Sequence, residues 1–541
     1  MVRAMCCRRM FRSMVLVLAC QWQLCLAVGD SAELQNQQAH NNQLIVLTYH
    51  DVIADVSKDP YATSRSAFVS HMDYLQSHGY RPVSLPFLEK VYNKQASLPP
   101  KAVLLTFDDG LKSYAEFVAP VLQTYHYPSV LSVVTAWLDG KDLPREYAGK
   151  LLDWDELRTL KQSPLITIVS HTHDLHHGVR SNPQDNEAAA AITRLYSPQS
   201  GHYETEAQFR QRIATDLKNT VQRFKRELHE APMAITWPYG KYDGVLMEEA
   251  SALGMTFQLT LDEGPATVEK LPRLNRIMMG NYNPGDFAAE LSFQRVLNAR
   301  DYFAEIRLDP FAGQTPEIQN KLLSSLLDNL ERLKVNAVLI HPFDRARKKA
   351  FFANGQVDVA ADILNRVAHQ INTRLNVRRI YLALPDGNNA LLAPAVLTDL
   401  SRLVWFNGVV FHGQSKAQIK SIKAITAYYH PAIRFGEYAT ATENAGSTVA
   451  FDFRIMPVQA SVDEATMRQQ LLASKGVPGK VLVSITLPDR GRRVLENLFS
   501  LLNSLGIRHY GFAYDKNLYG LKQDSGVAQE RAQDAVAVFG G

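Results

Sequence analysis

Cysteine is nearly absent from this chain. Its four cysteines all lie within the first 25 residues: Cys6, Cys7, Cys20 and Cys25. The rest of the sequence therefore contains no disulfide and no thiolate metal site. Long hydrophobic runs are also missing, because the apolar run at residues 14–20 is followed by Gln21 and Gln23. It falls short of the roughly 20 apolar residues that a membrane span requires, so the composition disfavours both a disulfide scaffold and a spanning anchor.

An excess of one charge is missing as well. The 58 Lys and Arg residues nearly balance the 54 Asp and Glu residues, and the first 27 residues hold four arginines but no Lys, Asp or Glu. Without that segment, 54 basic residues face 54 acidic ones and the formal charge is zero. Nucleic-acid-binding proteins work through basic surfaces. We therefore expect no nucleic-acid partner.

The first 27 residues have the composition of an export signal. Four arginines precede a short apolar run, and small residues lie near Ala27, where a signal peptidase would cleave. We expect residues 1–27 to be a signal segment, residues 28–43 to be a polar linker, and the protein to be exported. The segment that ends at Cys20 also resembles a bacterial lipoprotein signal, although Leu18 fits that pattern poorly. A lipid anchor on Cys20 is therefore an alternative that the sequence leaves open.

Beyond the linker, apolar runs alternate with helical patterns. A chain of 541 residues that is 46% hydrophobic has room for two large domains. The apolar runs of the first half lie at residues 44–49, 103–107, 130–134, 166–169 and 234–237. After a polar joint, which we expect at residues 275–301, they resume at residues 303–308, 335–340, 379–384, 404–411, 481–486 and 507–513. Such alternation predicts parallel α/β units, so we expect an α/β protein with barrel-like domains at 44–290 and 300–541.

The first chemical motif directly follows a predicted strand. Residues 106–110 read Thr-Phe-Asp-Asp-Gly. Adjacent side chains on a strand point to opposite faces, so Asp108 and Asp109 converge on one pocket only if the strand breaks, and Gly110 permits that turn. Active sites of α/β barrels lie at the C-terminal ends of the strands, which is where this acid pair falls.

The second motif is a cluster of histidines after another apolar run. Residues 170–178 read Ser-His-Thr-His-Asp-Leu-His-His-Gly, and this density favours a metal-binding or proton-transfer role. His173 and His177 are four residues apart and would share one helical face, whereas His171 and His176 are five apart and would converge only from a loop. Spacing alone leaves both pairs open.

The third motif is Thr-Trp-Pro-Tyr-Gly at residues 236–240, after a further strand. Pro238 and Gly240 favour a tight turn, which would aim a backbone N–H into the pocket. The aromatic side chains of Trp237 and Tyr239 would form a wall for a sugar ring. We therefore expect Trp237, Pro238 and Tyr239 to bind substrate.

Together the three motifs resemble those of the polysaccharide deacetylase (NodB-homology) family. More narrowly, Leu-Thr-Tyr-His-Asp at residues 47–51, the histidine segment and the overall length resemble the periplasmic poly-β-1,6-N-acetyl-D-glucosamine N-deacetylases of Gram-negative biofilm systems. The resemblance implies a distorted (β/α) barrel in the first domain and a TIM-like (β/α) barrel in the second. It also implies a periplasmic enzyme that deacetylates an exported N-acetylglucosamine polymer, with an outer-membrane export porin as a partner.

The resemblance also implies a role for each motif residue. Asp109, His171 and His176 would ligate one divalent metal ion, which on this donor set would be Zn, Ni, Co or Fe. Asp108 would be the general base, and the backbone N–H of Tyr239 would help to stabilise the oxyanion. Three such ligands leave a position open for water, whose pKa a divalent ion lowers to roughly 7.

Two departures from the family pattern raise an alternative. An arginine usually precedes the proline of the third motif, where this chain has Thr236 and Trp237, and the late Leu-x-x-His motif that supplies the general acid has no clear match. His50 is the best substitute for that acid, and His173 is the next. A decayed site in a non-catalytic glycan-binding or export scaffold is therefore the alternative to an enzyme.

The second domain resembles the glycoside-hydrolase-like barrel of the same deacetylases. Relatives carry an acidic pair after the Phe-His of the middle strand, but here Gly413 and Gln414 follow His412. Glycoside cleavage usually needs two carboxylates, so we expect this barrel to bind the polymer without cleaving it. Hydrolysis in this domain stays open as a third function, because four acids near predicted strand ends could compensate: Asp344, Asp386, Asp452 and Asp515.

Overall fold

The computed structural model describes residues 42–519, with gaps at residues 58, 345, 347, 376, 388, 440–449, 460–462, 476–479, 487–491 and 514–515. The expected signal segment at residues 1–27, with Cys20, lies outside the described residues, as do most of the expected linker and Asp515. In the described part of the chain, no helix is both long enough and apolar enough to cross a membrane.

The chain divides into two compact units, and the division is not a single cut. The first unit comprises the chain up to Asp174 together with Lys218–Gly240 and Leu253–Leu297. The second comprises Leu175–Leu217, Lys241–Ala252 and the chain from Asn298 onward. The last change of unit, after Leu297, falls between the domains expected at 44–290 and 300–541. Leu175–Leu217 and Lys241–Ala252 group with the second unit although they lie within the domain expected at 44–290. The domains expected from the sequence and the compact units of the structure therefore differ in these two segments.

The strands and helices before residue 298 follow one another as the alternation predicts. The strands are β1 (Gln43–Tyr49), β2 (Val52–Ile53), β3 (Thr63–Ser64), β4 (Arg81–Pro82), β5 (Ala102–Phe107), β6 (Ser129–Val133), β7 (Ile166–Ser170), β8 (Gly178–Arg180), β9 (Glu187–Ala189), β10 (Tyr196–Ser197), β11 (His202–Tyr203), β12 (Ala234–Thr236), β13 (Phe257–Thr260), β14 (Ala266–Thr267), β15 (Arg273–Asn275) and β16 (Ile277–Met278). The helices are α1 (Arg65–Ser77), α2 (Leu85–Tyr92), α3 (Ala119–Tyr125), α4 (Thr135–Leu138), α5 (Trp154–Leu160), α6 (Glu206–Leu228), α7 (Gly244–Ala252), α8 (Pro284–Leu291) and α9 (Gln294–Leu297).

One sheet forms the frame of the first unit. Its strands lie in the order β14-β1-β5-β6-β7-β12-β13-β15, and neighbours are parallel except for the antiparallel pair of β14 and β1. β15 pairs with β13, and the next strand along the chain, β16, pairs with β1 near the other end of the order. This short stretch of chain nearly closes the sheet, which confirms the predicted distorted (β/α) barrel.

The strands of this barrel are continuous apolar runs in the sequence because both of their faces are buried. All six residues of β5 are buried, as expected for a parallel strand whose two faces are both covered. Helix α1 begins at Ser64, whose side chain accepts a hydrogen bond from the Ala67 N–H. The helix buries Phe68 and Leu75, which lie in the same hydrophobic cluster as Leu105. The apolar stripe of the helix thus covers one face of the sheet.

The second half of the chain repeats strand and helix in the same way. Its strands are β17 (Tyr302–Arg307), β18 (Ala337–His341), β19 (Phe343–Asp344), β20 (Lys349–Ala350), β21 (Arg379–Ala383), β22 (Gly408–Phe411), β23 (Arg434–Tyr438), β24 (Phe453–Gln459), β25 (Lys480–Thr486) and β26 (Tyr510–Phe512). Its helices are α10 (Pro316–Arg332), α11 (Leu364–Leu375), α12 (Pro394–Leu403), α13 (Lys416–Tyr429), α14 (Glu464–Lys475) and α15 (Arg492–Ser504).

These strands form a closed parallel barrel. The order is β17-β18-β21-β22-β23-β24-β25-β26, and β26 pairs back with β17 so that Tyr510 lies opposite Tyr302. Buried side chains of successive strands, including Phe303, Leu339 and Phe453, form one cluster, so the centre of the barrel is a packed core. The predicted TIM-like (β/α) barrel is confirmed.

Candidate active site

Polar side chains follow the C-terminal ends of four strands of the first barrel. His50 follows β1, Asp108 follows β5, His171 follows β7, and Arg276 follows β15. Parallel neighbours in a barrel end at the same rim, where barrel enzymes assemble their sites. The topology therefore brings residues that are far apart in sequence to one place.

Asp108 and Asp109 lie where the extended backbone of β5 ends. The Asp108 N–H still donates to the Tyr49 carbonyl at 3.0 Å, as a strand residue would. Asp109 and Gly110 then both adopt left-handed backbone angles, with φ of 72° and 71°. A Cβ on Gly110 would lie 3.1 Å from Val133 Cγ1. The predicted break is confirmed at Gly110, and it begins one residue earlier, which turns Asp109 away from the regular alternation.

Three potential ligand atoms converge beside this break. One ligand atom from each of Asp109, His171 and His176 lies within 4.8 Å of the others, and His171 Nε2 is 3.4 Å from Asp109 Oδ1. His171 Nδ1 lies 2.8 Å from the Thr236 carbonyl oxygen, which can only accept a hydrogen bond. Nδ1 therefore carries the hydrogen, and Nε2 presents its lone pair to the cluster. A carboxylate and two imidazoles arranged in this way fit a divalent metal ion.

The structure also distinguishes the two histidine pairs that spacing left open. The chain leaves β7 as a loop, with Thr172 at a φ of 72°, so His171 and His176 converge although they are five residues apart. His173 instead makes a hydrogen bond from Nδ1 to Thr135 Oγ1 at 2.8 Å, and His177 is exposed at the start of the β8–β9 hairpin. The structure thus agrees with a loop after β7, which brings the imidazoles of His171 and His176 to the carboxylate of Asp109.

The second carboxylate oxygen of Asp109, Oδ2, accepts a hydrogen bond from a tyrosine that the sequence did not predict. The Tyr147 hydroxyl donates to Asp109 Oδ2 at 2.9 Å, and the Tyr147 ring packs on Trp137 with centroids 5.1 Å apart. This contact orients the carboxylate and directs Oδ1 towards His171. Partners of metal-ligating groups in this position tune the affinity of a site. No sequence signal singles out Tyr147, because it lies in a short turn without a motif.

Asp108 is paired with an arginine that the sequence analysis also missed. Arg276 Nη1 lies 2.8 and 2.9 Å from the two carboxylate oxygens of Asp108, and both side chains are buried. Burial by itself raises the pKa of Asp108, but the Arg276 guanidinium, followed by His171 and His50, outweighs it and holds the pKa below its ordinary value. The arginine absent from the third motif is thus matched by one from another part of the chain.

Arg276 is the single residue between β15 and β16, where the chain passes from one strand partner to another. Sequence analysis assigned residues 275–301 to a joint between domains, and that assignment is wrong at its start. The two strands are too short for their alternation to be recognised, so the sequence carried no clear signal.

His50 lies beside the acid pair. It contributes to lowering the pKa of Asp108, and its ring centroid is 6.3 Å from that of Tyr61. His50 Nδ1 is buried and has no hydrogen-bond partner among the described residues. A buried polar atom of this kind is unusual and is a feature of functional sites.

The third motif forms the predicted tight turn, but its aromatic wall is smaller than predicted. Trp237 and Pro238 are buried, and Trp237 Nε1 donates to Gln258 Oε1 at 3.0 Å. The expectation that Trp237 forms a wall for a sugar together with Tyr239 is therefore wrong for Trp237, because a fully buried ring presents no face to a ligand, and the buried Pro238 is likewise not placed to bind substrate. Tyr239 is 50% exposed, and burial of its hydroxyl together with the charge of Asp109 raises its pKa.

The predicted acids of the second barrel have different surroundings. Asp344 is buried, whereas Asp386 is exposed and pairs with His412. Asp452 precedes β24 and accepts a hydrogen bond from the Phe435 N–H at 2.7 Å, so it lies at the N-terminal rather than the C-terminal end of the strands. Asp515 lies outside the described residues.

A carboxylate and two imidazoles beside a second carboxylate, at the strand ends of an α/β barrel, form the arrangement of a metal-assisted hydrolase. Comparison with known proteins narrows this class. Residues 95–258 match the family model described as polysaccharide deacetylase, and residues 305–386 match hypothetical glycosyl hydrolase family 13. The chain therefore carries a polysaccharide deacetylase domain, followed by a glycosyl-hydrolase-like domain.

Three individual proteins are similar to parts of this chain. The chain is 28% identical over 373 residues to the poly-beta-1,6-N-acetyl-D-glucosamine N-deacetylase of Escherichia coli (strain K12); the match covers 65% of this chain and 54% of that protein, about half of its length. It is similar to the de-N-acetylase structure from Aggregatibacter actinomycetemcomitans, with 28% identity, a TM-score of 0.43, and coverage of 46% of this chain and 100% of that one. It is also similar to the BpsB deacetylase domain from Bordetella bronchiseptica, with 30% identity, a TM-score of 0.40, and coverage of 45% and 97%.

Proposed function

We propose that this protein is a metal-dependent N-deacetylase that acts on exported poly-β-1,6-N-acetyl-D-glucosamine. The observation that carries the proposal is the convergence of Asp109, His171 and His176 beside a second carboxylate, Asp108, which is held by an arginine. The name of the Escherichia coli relative supplies the choice of polymer and of linkage.

The metal site would consist of Asp109, His171 and His176. A bound divalent ion would polarise the acetamide carbonyl and lower the pKa of a water molecule. The identity of the ion is open among Zn, Ni, Co and Fe, because nitrogen and oxygen ligands of this kind discriminate poorly between them. The contacts of Tyr147 and Thr236 would hold the ligands in place.

Asp108 would act as the general base. Because its pKa is held low, the carboxylate is ionised at neutral pH and can accept the proton of the attacking water. Arg276 contacts both carboxylate oxygens, so it fixes their direction as well as their charge. The support for a decayed site came partly from a missing arginine, and Arg276 weakens that support.

His50 would act as the general acid. Its buried Nδ1, without a partner among the described residues, is available to exchange a proton with the amine nitrogen as the C–N bond breaks. His173 is the weaker candidate, because its Nδ1 is engaged by Thr135. Tyr239 would contact the sugar, and its backbone N–H would stabilise the oxyanion, a contribution of about 3–4 kcal/mol for one such donor.

The setting of the reaction follows from the sequence. The expected signal segment implies export, so we propose that the protein acts in the periplasm beside an outer-membrane export porin and supports biofilm formation, with lipidation of Cys20 as a possible tether. Deacetylation would leave free amines and give the polymer positive charge during export.

We propose that the second barrel binds this polymer without cleaving it. Gln414 stands where relatives carry an acidic residue, and it is buried with its amide bonded to the Pro385 carbonyl. One observation favours the hydrolase alternative: Glu305 of β17 contacts His341 of β18 at 2.7 Å, and both side chains are buried. Loss of polymer length on incubation with the full protein, abolished by Glu305→Gln, would decide for hydrolysis.

The deacetylase proposal is tested with metal-loaded protein and a β-1,6-linked N-acetylglucosamine oligomer, by measuring free amine and released acetate. We expect release by the native chain and none by Asp108→Asn, which should keep the metal because Asp108 is not in the ligand set. Asp109→Asn is the complementary variant and should lose the metal. Oligomer binding without amine release would establish the scaffold alternative, and near-native turnover by Asp108→Asn would refute the assignment of the base.

A further inference from the structure

Three large aromatic side chains are exposed among the described residues, and two of them lie at the candidate site. Tyr61 is 58% exposed, Tyr239 is 50% exposed and Tyr92 is 42% exposed. Tyr61 lies next to His50, and Tyr239 lies close enough to Asp109 for the carboxylate to raise its pKa. Tyr92, at the end of α2, packs its ring against Phe257 instead. Tyr61 belongs to none of the sequence motifs.

The position of Tyr61 is set by its backbone. It lies in the loop between β2 and β3, and these two strands pair in parallel, with Val52 opposite Thr63. The Tyr61 N–H donates to Asp59 Oδ1 at 2.9 Å, and the Thr63 N–H donates to the Asp51 carbonyl at 2.8 Å. The loop is therefore tied to the chain that carries His50, so the ring is held at the site while more than half of its surface stays open to solvent.

The chemistry of the surroundings indicates what such a ring contacts. Asp108 and the Nδ1 atom of His50 are buried, so an acetamide that reaches them brings its sugar ring to the rim, where Tyr61 lies. Aromatic rings bury large apolar areas, and a tyrosine adds a hydroxyl that can bond at the wet edge of a site. We propose that Tyr61 is a sugar-binding residue of this site, which contacts a pyranose ring of an N-acetylglucosamine polymer. This inference rests on the proposed function and adds a residue that holds the chain of sugars.

The test compares two substrates. One is a β-1,6-linked N-acetylglucosamine pentamer, and the other is 4-nitrophenyl acetate, which offers an acetyl group without a sugar. For Tyr61→Ala we expect KM for the pentamer to rise about tenfold, the loss of one good aromatic contact, with kcat little changed. Hydrolysis of 4-nitrophenyl acetate should stay at the native rate. Tyr61→Phe should restore most of the pentamer affinity, and Tyr92→Ala should behave like the native chain.

The results with the two substrates distinguish a sugar-binding role of Tyr61 from a supporting role. Equal losses on both substrates would show that Tyr61 supports His50 rather than the sugar, and an unchanged KM for the pentamer would overturn the inference directly. A native protein that releases no acetate from the pentamer would contradict the proposed function instead. In that case calorimetric titration of the pentamer into Asp108→Asn, with and without Tyr61→Ala, still tests the contact: weaker binding supports it and equal binding refutes it.

Discussion

At the scale of single residues, Asp108 and Arg276 form a buried ion pair whose two members depend on each other. A carboxylate in a buried place ionises readily only if a cation offsets the loss of hydration. Arg276 also reaches Thr48 Oγ1 at 2.9 Å, which anchors the guanidinium. The charge state of the proposed base is therefore set by a residue outside all three motifs.

Removal of Arg276 should shift the pH dependence of the reaction. In Arg276→Met, burial would raise the pKa of Asp108 without an offset, so the acid limb of kcat/KM should move to higher pH and activity at neutral pH should fall. The matched control is Arg273→Met in the preceding strand, β15, where the ion-pair partner Asp262 lies 4.0 Å away. An acid limb at the native position would show that Arg276 does not control the base. The measurement is a pH–rate profile with the oligomer.

Tyr147 offers a second prediction at this scale. Tyr147→Phe removes the hydrogen bond to Asp109 Oδ2 while keeping the ring on Trp137, and loss of such a partner typically weakens metal affinity by about 10–100-fold. Tyr125→Phe is the control, since its hydroxyl makes a comparable bond to Asp73 at the surface. Isothermal titration of zinc or nickel into the metal-free variants measures both. Equal affinities for the native chain and Tyr147→Phe would contradict the orienting role.

At the scale of elements, the site is built where strands stop. β5 delivers Asp108 in register, and the left-handed turn at Asp109 and Gly110 sends the next carboxylate to the histidines. The loop after β7 performs the same task for His171 and His176. Regular strands would send neighbouring side chains to opposite faces, so the irregular residues are what assemble the cluster.

Gly110→Ala should therefore damage both stability and metal binding. A non-glycine residue in the left-handed region costs about 1–2 kcal/mol, and here the new Cβ also meets Val133 Cγ1 at 3.1 Å. Gly140→Ala separates the two effects, because Gly140 has a φ of 73° but nothing within 4 Å of its Cβ position. Thermal unfolding and metal titration of both variants are the measurements. Equal behaviour of the two would show that close packing at Gly110 is irrelevant.

At the scale of the whole molecule, the second barrel is closed at its N-terminal end around one carboxylate. Asp301 is fully buried just before β17 and contacts Arg379 at the start of β21, Lys480 at the start of β25 and, at 3.5 Å, His509 before β26. Burial raises the pKa of Asp301, but the positive charges of Arg379 and Lys480 outweigh this effect and hold the pKa below its ordinary value. The stability that the cluster adds is present above the ordinary pKa of an aspartate and is lost as pH falls.

Asp301→Asn should destabilise the second unit alone. Removal of one partner from a buried ion cluster costs about 3–5 kcal/mol, because the remaining charges stay buried without compensation. Asp328→Asn on α10, where the carboxylate is exposed, is the control. Denaturant unfolding measures the loss, and metal affinity, which belongs to residues outside this cluster, should be unchanged. A variant as stable as the native chain would refute the closing role of Asp301.

The sequence by itself determined the α/β class and the positions of the three polar motifs, because these depend on local patterns; the two barrel types and the set of metal ligands came from the resemblance of the motifs to a known family. A buried parallel strand needs a continuous apolar run, and a polar motif directly after it can only lie at the rim. Within the histidine segment, however, the choice of His171 and His176 depended on the loop geometry.

Only the tertiary structure decided which distant residues complete the site. Arg276 and Asp108 are 168 residues apart and Tyr147 and Asp109 are 38 apart, and no local pattern relates them. The burial of Trp237 was equally invisible, since an aromatic residue after a strand can face either a pocket or the core. Ion pairs, hydrogen bonds and burial arise where the barrel brings separate strand ends together, so they are properties of the closed fold rather than of any segment.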